Sequence, residues 1–201
     1  IEECIEALVG DPSVSAIGLH MEALGDVPRF EAVCRRASEA DVPVVVLKTG
    51  SSTLGARIAV SHTSSMVGDA TAYRVLFERL GVRQVESIPE LLDTLAVLDR
   101  LGGIPGRRLV SMSCSGGEAS VVADRAESMD LDFPAFDEGH GARIAGTLSE
   151  LVSVSNPLDY HTFIWGDPGR LRATFTAVMD GPLDAAMLVL DFPSAGLDDS
   201  G

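Results

Sequence analysis

Blocks of Val, Ile and Leu alternate along this chain with segments of helical period. The blocks are Ala16–Met21, Val42–Leu47, Val82–Val85, Leu109–Ser113 and Ala185–Leu190. Near-continuous apolar runs of this length suit strands covered on both faces. Between them, Phe30, Val33, Cys34 and Ala37 recur at i, i+3, i+4 and i+7, as do Tyr73, Leu76, Phe77 and Leu80. Leu91, Leu95 and Leu98 form a third stripe, and Leu171, Phe175, Val178 and Met179 a fourth. Each predicts a helix with a core-facing side. Strands alternating with helices predict an α/β fold built on parallel sheets with right-handed crossovers.

The pattern breaks at Leu101-Gly102-Gly103-Ile104-Pro105-Gly106, where glycines and a proline end one helix before a new strand. This predicts two domains, residues 1–102 and 103–201. Each half repeats one layout, a strand running into a small-residue loop and a new helix. The first instance is Val44 to Ser52 and the second Leu109 to Glu118. In open α/β sheets ligands sit beyond the carboxyl ends of the strands, where both loops fall.

Composition narrows the functions. The 201 residues carry 15 Lys+Arg against 30 Asp+Glu, a formal charge of −15. That balance argues against nucleic acid or an anionic membrane as partner, since both are polyanions. A local nest of backbone N–H groups can still bind phosphate. The three cysteines, Cys4, Cys34 and Cys114, are too scattered for a disulfide framework or a zinc site. No metal site is expected, and a reducing cytoplasm is the simplest compartment. No apolar run approaches the ~20 residues of a transmembrane helix. The chain opens inside a helical pattern at Ile1 and reads as a piece of something longer.

His62 is the first candidate for chemistry. It lies among small and hydroxyl-bearing residues from Gly55 to Asp69, with a helix predicted from about Ala70. Such a loop exposes backbone N–H groups to an anion, and an imidazole there is a nucleophile toward a phosphoryl group or simply a hydrogen-bonded loop histidine. Gly116-Gly117, between a strand and a helix, permits close backbone approach to an anion but is also an ordinary strand–helix turn. It has neither dinucleotide nor P-loop spacing. Glu22, after a strand, is a cap, a solvated charge or the partner of an imidazole. Lys48 at a strand end is a phosphate ligand or a surface charge. Asn156-Pro157-Leu158-Asp159 reads first as a turn.

Taken together these residues resemble a family. Val44 to Lys48, then Gly50, Gly55-Ala56 and Ser61-His62-Thr63, match without a gap the central motif of NDP-forming acyl-CoA synthetases. These are relatives of succinyl-CoA ligase that include ADP-forming acetate–CoA ligases. Weaker matches in the right order are Ile17–Leu24 with Glu22, Phe77–Val82, Ser115-Gly116-Gly117 and Asn156-Pro157-Leu158-Asp159, so the resemblance runs from about residue 5 to about 190. It implies two flavodoxin-like domains, the first bearing the phosphohistidine.

The resemblance further implies that His62 is phosphorylated in turn by nucleotide and by acyl phosphate. Glu22 is then its stabilising partner, and Thr63, Ser115, Gly116 and Gly117 bind the phosphate. Lys48, Asn156 and Asp159 are further candidates. The family's reaction is acid + CoA + NTP giving acyl-CoA + NDP + phosphate, with ATP/ADP or GTP/GDP and Mg²⁺. CoA-binding and nucleotide-grasp domains would lie in cis or on another subunit, the fragment would be inactive alone, and an oligomer is expected. An alternative is a regulatory sensor module of a protein acetyltransferase fused to an acyl-CoA synthetase-like region. The chain departs from the family at Ser64 and Ser65, where a glycine and a small residue are usual. It departs again over Tyr160 to Asp167, which is longer and more aromatic. A loop there shapes access to the phosphate site, although Phe163 and Trp165 read equally as packing residues.

Overall fold

The computed structural model describes residues 1–52, 54–55 and 69–190. The candidates His62 and Thr63 lie outside the described residues. The chain divides into two compact units, Ile1–Gly103 and Ile104–Gly201.

In the first unit α1 (Glu2–Val9) leads to β1 (Ile17–Met21), α2 (Val27–Glu39) and β2 (Val44–Lys48). After them come α3 (Ala70–Leu80), β3 (Arg83–Val85) and α4 (Ile88–Leu101). The sheet is parallel in the order β1-β2-β3, with Met21 in register with Lys48. β2 is buried along its whole length, and its side chains divide between two faces as the two-residue period requires. Val44 and Val46 join Ile5, Phe30, Val33, Ala37 and Phe77 in one core. Val45 and Leu47 join Val85 on the other face, packed by Leu91, Leu95 and Leu98. Helices therefore cover both faces of β2, which is why its sequence is continuously apolar.

Local chemistry sets the helix ends. Asp26, Asp69 and Ser87 each accept a backbone N–H of the helix they start. Gly81 ends α3 in the left-handed region at φ 68°, which a glycine enters without steric cost.

The second unit contains β4 (Leu109–Ser113), α5 (Gly116–Ser128), α6 (Glu138–Ala145), β5 (Leu158–Asp159), α7 (Pro168–Met179) and β6 (Ala185–Leu188). Its sheet is also parallel, in the order β5-β4-β6. Val110, Met112, Ile144, Leu158, Tyr160, Ile164 and Val178 make its core. Two details differ from the sequence reading. Leu158 and Asp159 pair with Met112 and Ser113 as a short strand rather than forming only a turn. On α7, Met179 is exposed while Thr174 is buried, its hydroxyl 3.0 Å from that of Thr147. The fold is α/β, two flavodoxin-like units each with a parallel sheet flanked by helices.

Candidate functional site

In the first unit, the strand ends bring together the described part of the motif. The Thr49 N–H donates to Met21 O at 3.0 Å, continuing the β1–β2 ladder one step past the strands and setting Glu22 beside Thr49. Lys48 is buried, and its ammonium donates to Thr49 O at 2.6 Å while lying 4.6 Å from the centre of the Tyr73 ring. Burial lowers its pKa, and the charge of Glu22 acts in the opposite sense. Lys48 and Glu22 therefore interact electrostatically at the carboxyl ends of neighbouring strands. The Tyr73 hydroxyl accepts the Leu24 N–H at 2.8 Å and so fixes the segment that carries Glu22. Thr49 Oγ1 lies 3.3 Å from His20 Nε2.

Two glycines explain the motif's spacing. Gly50 adopts φ 75° as the chain leaves β2. A Cβ on Gly55 would come within 3.2 Å of Gly50 Cα and 3.1 Å of Ser52 Oγ. The Ser52 hydroxyl also accepts the Gly55 N–H at 3.0 Å. The loop thus folds back on itself with backbone against backbone, just before the segment that holds His62.

In the second unit, Ser115 leads into α5 without a side-chain cap bond. Asp159, at the end of β5, lies against this loop: a Cβ on Gly116 would sit 3.2 Å from Asp159 Oδ2. The carboxylate also accepts the His161 N–H at 2.9 Å, and its other oxygen is 3.6 Å from His161 Nε2. A carboxylate near the first turn of a helix suits the positive end of the helix dipole. A phosphate reaching the same N–H groups would meet Asp159 beside it.

Asn156 is placed differently. Its amide nitrogen donates to Leu109 O at 2.8 Å and to Pro134 O at 3.0 Å, and its oxygen accepts the Ser111 N–H at 3.3 Å. Asn156 stitches the chain to the start of β4, while Asp159 faces the loop beyond the other end of that strand.

Sequence reasoning passed over several residues that matter here. Tyr73 reads as one member of an apolar stripe, yet its hydroxyl and ring face hold Leu24 and Lys48. The signal was a tyrosine where leucine would suffice. His140 is spent on structure, buried with Nε2 2.8 Å from Ala177 O. Burial, helped by the charge of Glu2, pushes the Cys34 thiol up to about 12, so it packs rather than reacts. No cluster of three or more His, Cys, Asp or Glu among the described residues is placed to hold a metal ion. No helix among them is long and apolar enough to cross a membrane. An open cleft of about 470 Å³ lined by Arg74, Phe77, Gly81, Arg83 and Glu86 runs along β3.

Comparison with known proteins agrees with this architecture. Residues 1–98 match the model of the succinyl-CoA ligase like flavodoxin domain. The chain is 28% identical to a trans-feruloyl-CoA synthase from an unknown prokaryotic organism, over 98% of this chain and 28% of that protein. It is 29% identical to the ADP-forming acetate–CoA ligase I of Archaeoglobus fulgidus, over 96% of this chain and 28% of that one. It is 30% identical to the alpha subunit of the corresponding Pyrococcus furiosus ligase, over 78% of this chain and 34% of the subunit. Among solved structures, a Ca. Korarchaeum cryptofilum dinucleotide forming acetyl-coenzyme A synthetase 1, in complex with phosphate and ADP, superposes with a TM-score of 0.79. It shares 22% identity over 93% of this chain and 40% of that one. The chain is thus similar along most of its length to ADP-forming acetate–CoA ligases, and its first half to the succinyl-CoA ligase like flavodoxin domain. It spans about a third or less of the length of these curated relatives.

Proposed function

We propose that this chain is the phosphoryl-relay segment of an NDP-forming acyl-CoA synthetase, with His62 as the phosphorylated residue. The observation that carries the reading is the loop after β2. The gapless motif from Lys48 to His62 begins on a fixed platform in which Lys48, Thr49 and the Glu22 segment are held together by Tyr73 and the β1–β2 ladder.

In this reading His62 takes the γ-phosphoryl group of a nucleoside triphosphate, forming a P–N bond as the γ P–O bond breaks and the diphosphate leaves, and passes it to the carboxylate to give an acyl phosphate, from which CoA displaces phosphate; the same steps run in reverse. Covalent relay divides one difficult transfer into easier ones. Glu22 stabilises the imidazolium character of the phosphorylated ring, as a carboxylate does for other catalytic histidines. Ser115, Gly116 and Gly117 offer N–H groups to a phosphate, with Thr63 beside His62. CoA, the nucleotide and Mg²⁺ would bind through domains in cis or on another subunit, which makes the working enzyme a larger assembly. The relatives' names include acetate, 4-hydroxybutyrate and trans-feruloyl acids, so a small carboxylic acid is the substrate class.

The test uses the full-length enzyme with a carboxylic acid, CoA, ATP and Mg²⁺. Production of acyl-CoA and ADP in equal amounts, abolished by His62→Asn, supports the reading. Acyl-CoA formed with AMP and pyrophosphate, or formed undiminished by the variant, contradicts it.

A further inference from the structure

We propose that Lys48 is a positioning residue that acts on phosphoryl transfer through Glu22, a refinement that rests on the relay reading above. A lysine at a strand end is ordinarily a solvated charge. Lys48 is instead only 6% exposed, at the end of a strand that is buried along its whole length. Its ammonium turns back on the protein. It donates to Thr49 O at 2.6 Å and lies 4.6 Å from the centre of the Tyr73 ring. An ammonium so engaged is neither a surface charge nor a free hand for a phosphate.

Burying that charge is costly, and a methionine would fill the same space without the cost. The sheet supplies a reason to keep it. Met21 and Lys48 are partners in the β1–β2 register, and the Thr49 N–H donates to Met21 O at 3.0 Å. Glu22 follows Met21, so the ladder itself brings carboxylate and ammonium to the ends of neighbouring strands. The charge of Glu22 acts on Lys48 against the effect of burial.

Tyr73 fixes the other side of Glu22. Its ring carries the ammonium, and its hydroxyl accepts the Leu24 N–H at 2.8 Å. The chain is therefore pinned at Met21 by Thr49 and at Leu24 by Tyr73, with Glu22 between the two and a fixed positive charge within its reach. In the relay reading Glu22 offsets a ring charge that exists only while His62 is phosphorylated. Lys48 supplies a charge that stays. It holds the carboxylate in place while the imidazole is neutral, so that nothing has to be rearranged when the phosphoryl group arrives.

A double-mutant cycle on the full-length enzyme tests this, read by the rate of labelling from γ-³²P-ATP with Mg²⁺ and by the KM for ATP. Lys48→Met keeps the length and bulk of the side chain and removes its charge. It should slow labelling about tenfold or more with the KM for ATP unchanged, while the melting temperature stays close to that of wild type. In Glu22→Gln the same change should cost almost nothing further, because the carboxylate through which Lys48 acts is gone. Lys48→Arg, which keeps the charge, should lose less than Lys48→Met. Undiminished labelling in Lys48→Met would overturn the proposal. An equal fold-loss in the wild-type and Glu22→Gln backgrounds would overturn it too, marking Lys48 as an independent phosphate ligand or as packing. Labelling undiminished by His62→Asn would sink the relay reading, and the coupling of Lys48 to Glu22 would still be decided by the same cycle. A wild-type enzyme that takes no label would overturn both.

Discussion

Lys48 Nζ lies 4.6 Å from the centre of the Tyr73 ring, and the hydroxyl of that same ring accepts the Leu24 N–H at 2.8 Å. One side chain on α3 therefore organises the ends of both β1 and β2. Tyr73→Phe keeps the ring beneath the ammonium but leaves the Leu24 amide without its partner. It should lower stability by roughly 1–2 kcal/mol in urea unfolding, and it should slow phosphoryl transfer more than Val75→Ala, a change at an exposed position on the same helix.

Gly55→Ala places a methyl group against Gly50 Cα, a backbone atom that cannot turn aside. The loop after β2 must then open. The expected cost is about 1–3 kcal/mol, read by chemical denaturation, with a larger loss of phosphorylation than of stability. A variant that folds and is phosphorylated like wild type would show that the close approach is dispensable.

Asp184 accepts from the Arg108 side chain at 2.9 Å and from the Arg108 N–H at 2.9 Å. These bonds lower its pKa to about 2, the Arg108 side chain being the larger cause. A carboxylate depressed in the folded state adds stability that is fully present above the unfolded value near 4. That stability is lost as pH falls through the folded value. Thermal unfolding between pH 4 and 2 should therefore be less pH-dependent in Asp184→Asn than in wild type. Gly106→Ala should perturb the same pair, since its Cβ would run into the Asp184 carboxylate.

Asn156→Ala removes hydrogen bonds to the Leu109, Pro134 and Ser111 backbones. A loss of about 2–4 kcal/mol is expected, from partly buried groups left unpaired. Asp159→Asn should leave unfolding nearly unchanged and instead alter the catalytic rate, because the carboxylate faces the Gly116 loop rather than the core. Differential scanning calorimetry together with the thioester assay separates the two residues.

The apolar blocks read in the sequence correspond to β1, β2, β3, β4 and β6; covered faces account for the unbroken runs of β2 and β4, whereas β3 carries Arg83 and Gln84 and β6 is largely exposed. β5 was hidden. It is only two residues long and follows Pro157, so no periodicity could accumulate. The motif's glycines were legible as a pattern, but the reason for their spacing, Gly55 packed on Gly50, needs coordinates. Asn156 and Asp159 looked like one turn, and their division of labour depends on which end of β4 each one meets.

If His62 carries the phosphoryl group, the full-length enzyme incubated with γ-³²P-ATP and Mg²⁺ becomes labelled, and acid and base treatment identify the bond that holds the label. Label that survives base but not acid, present in wild type, absent in His62→Asn and reduced in Glu22→Gln, is the predicted result. Equal labelling of wild type and His62→Asn would contradict it.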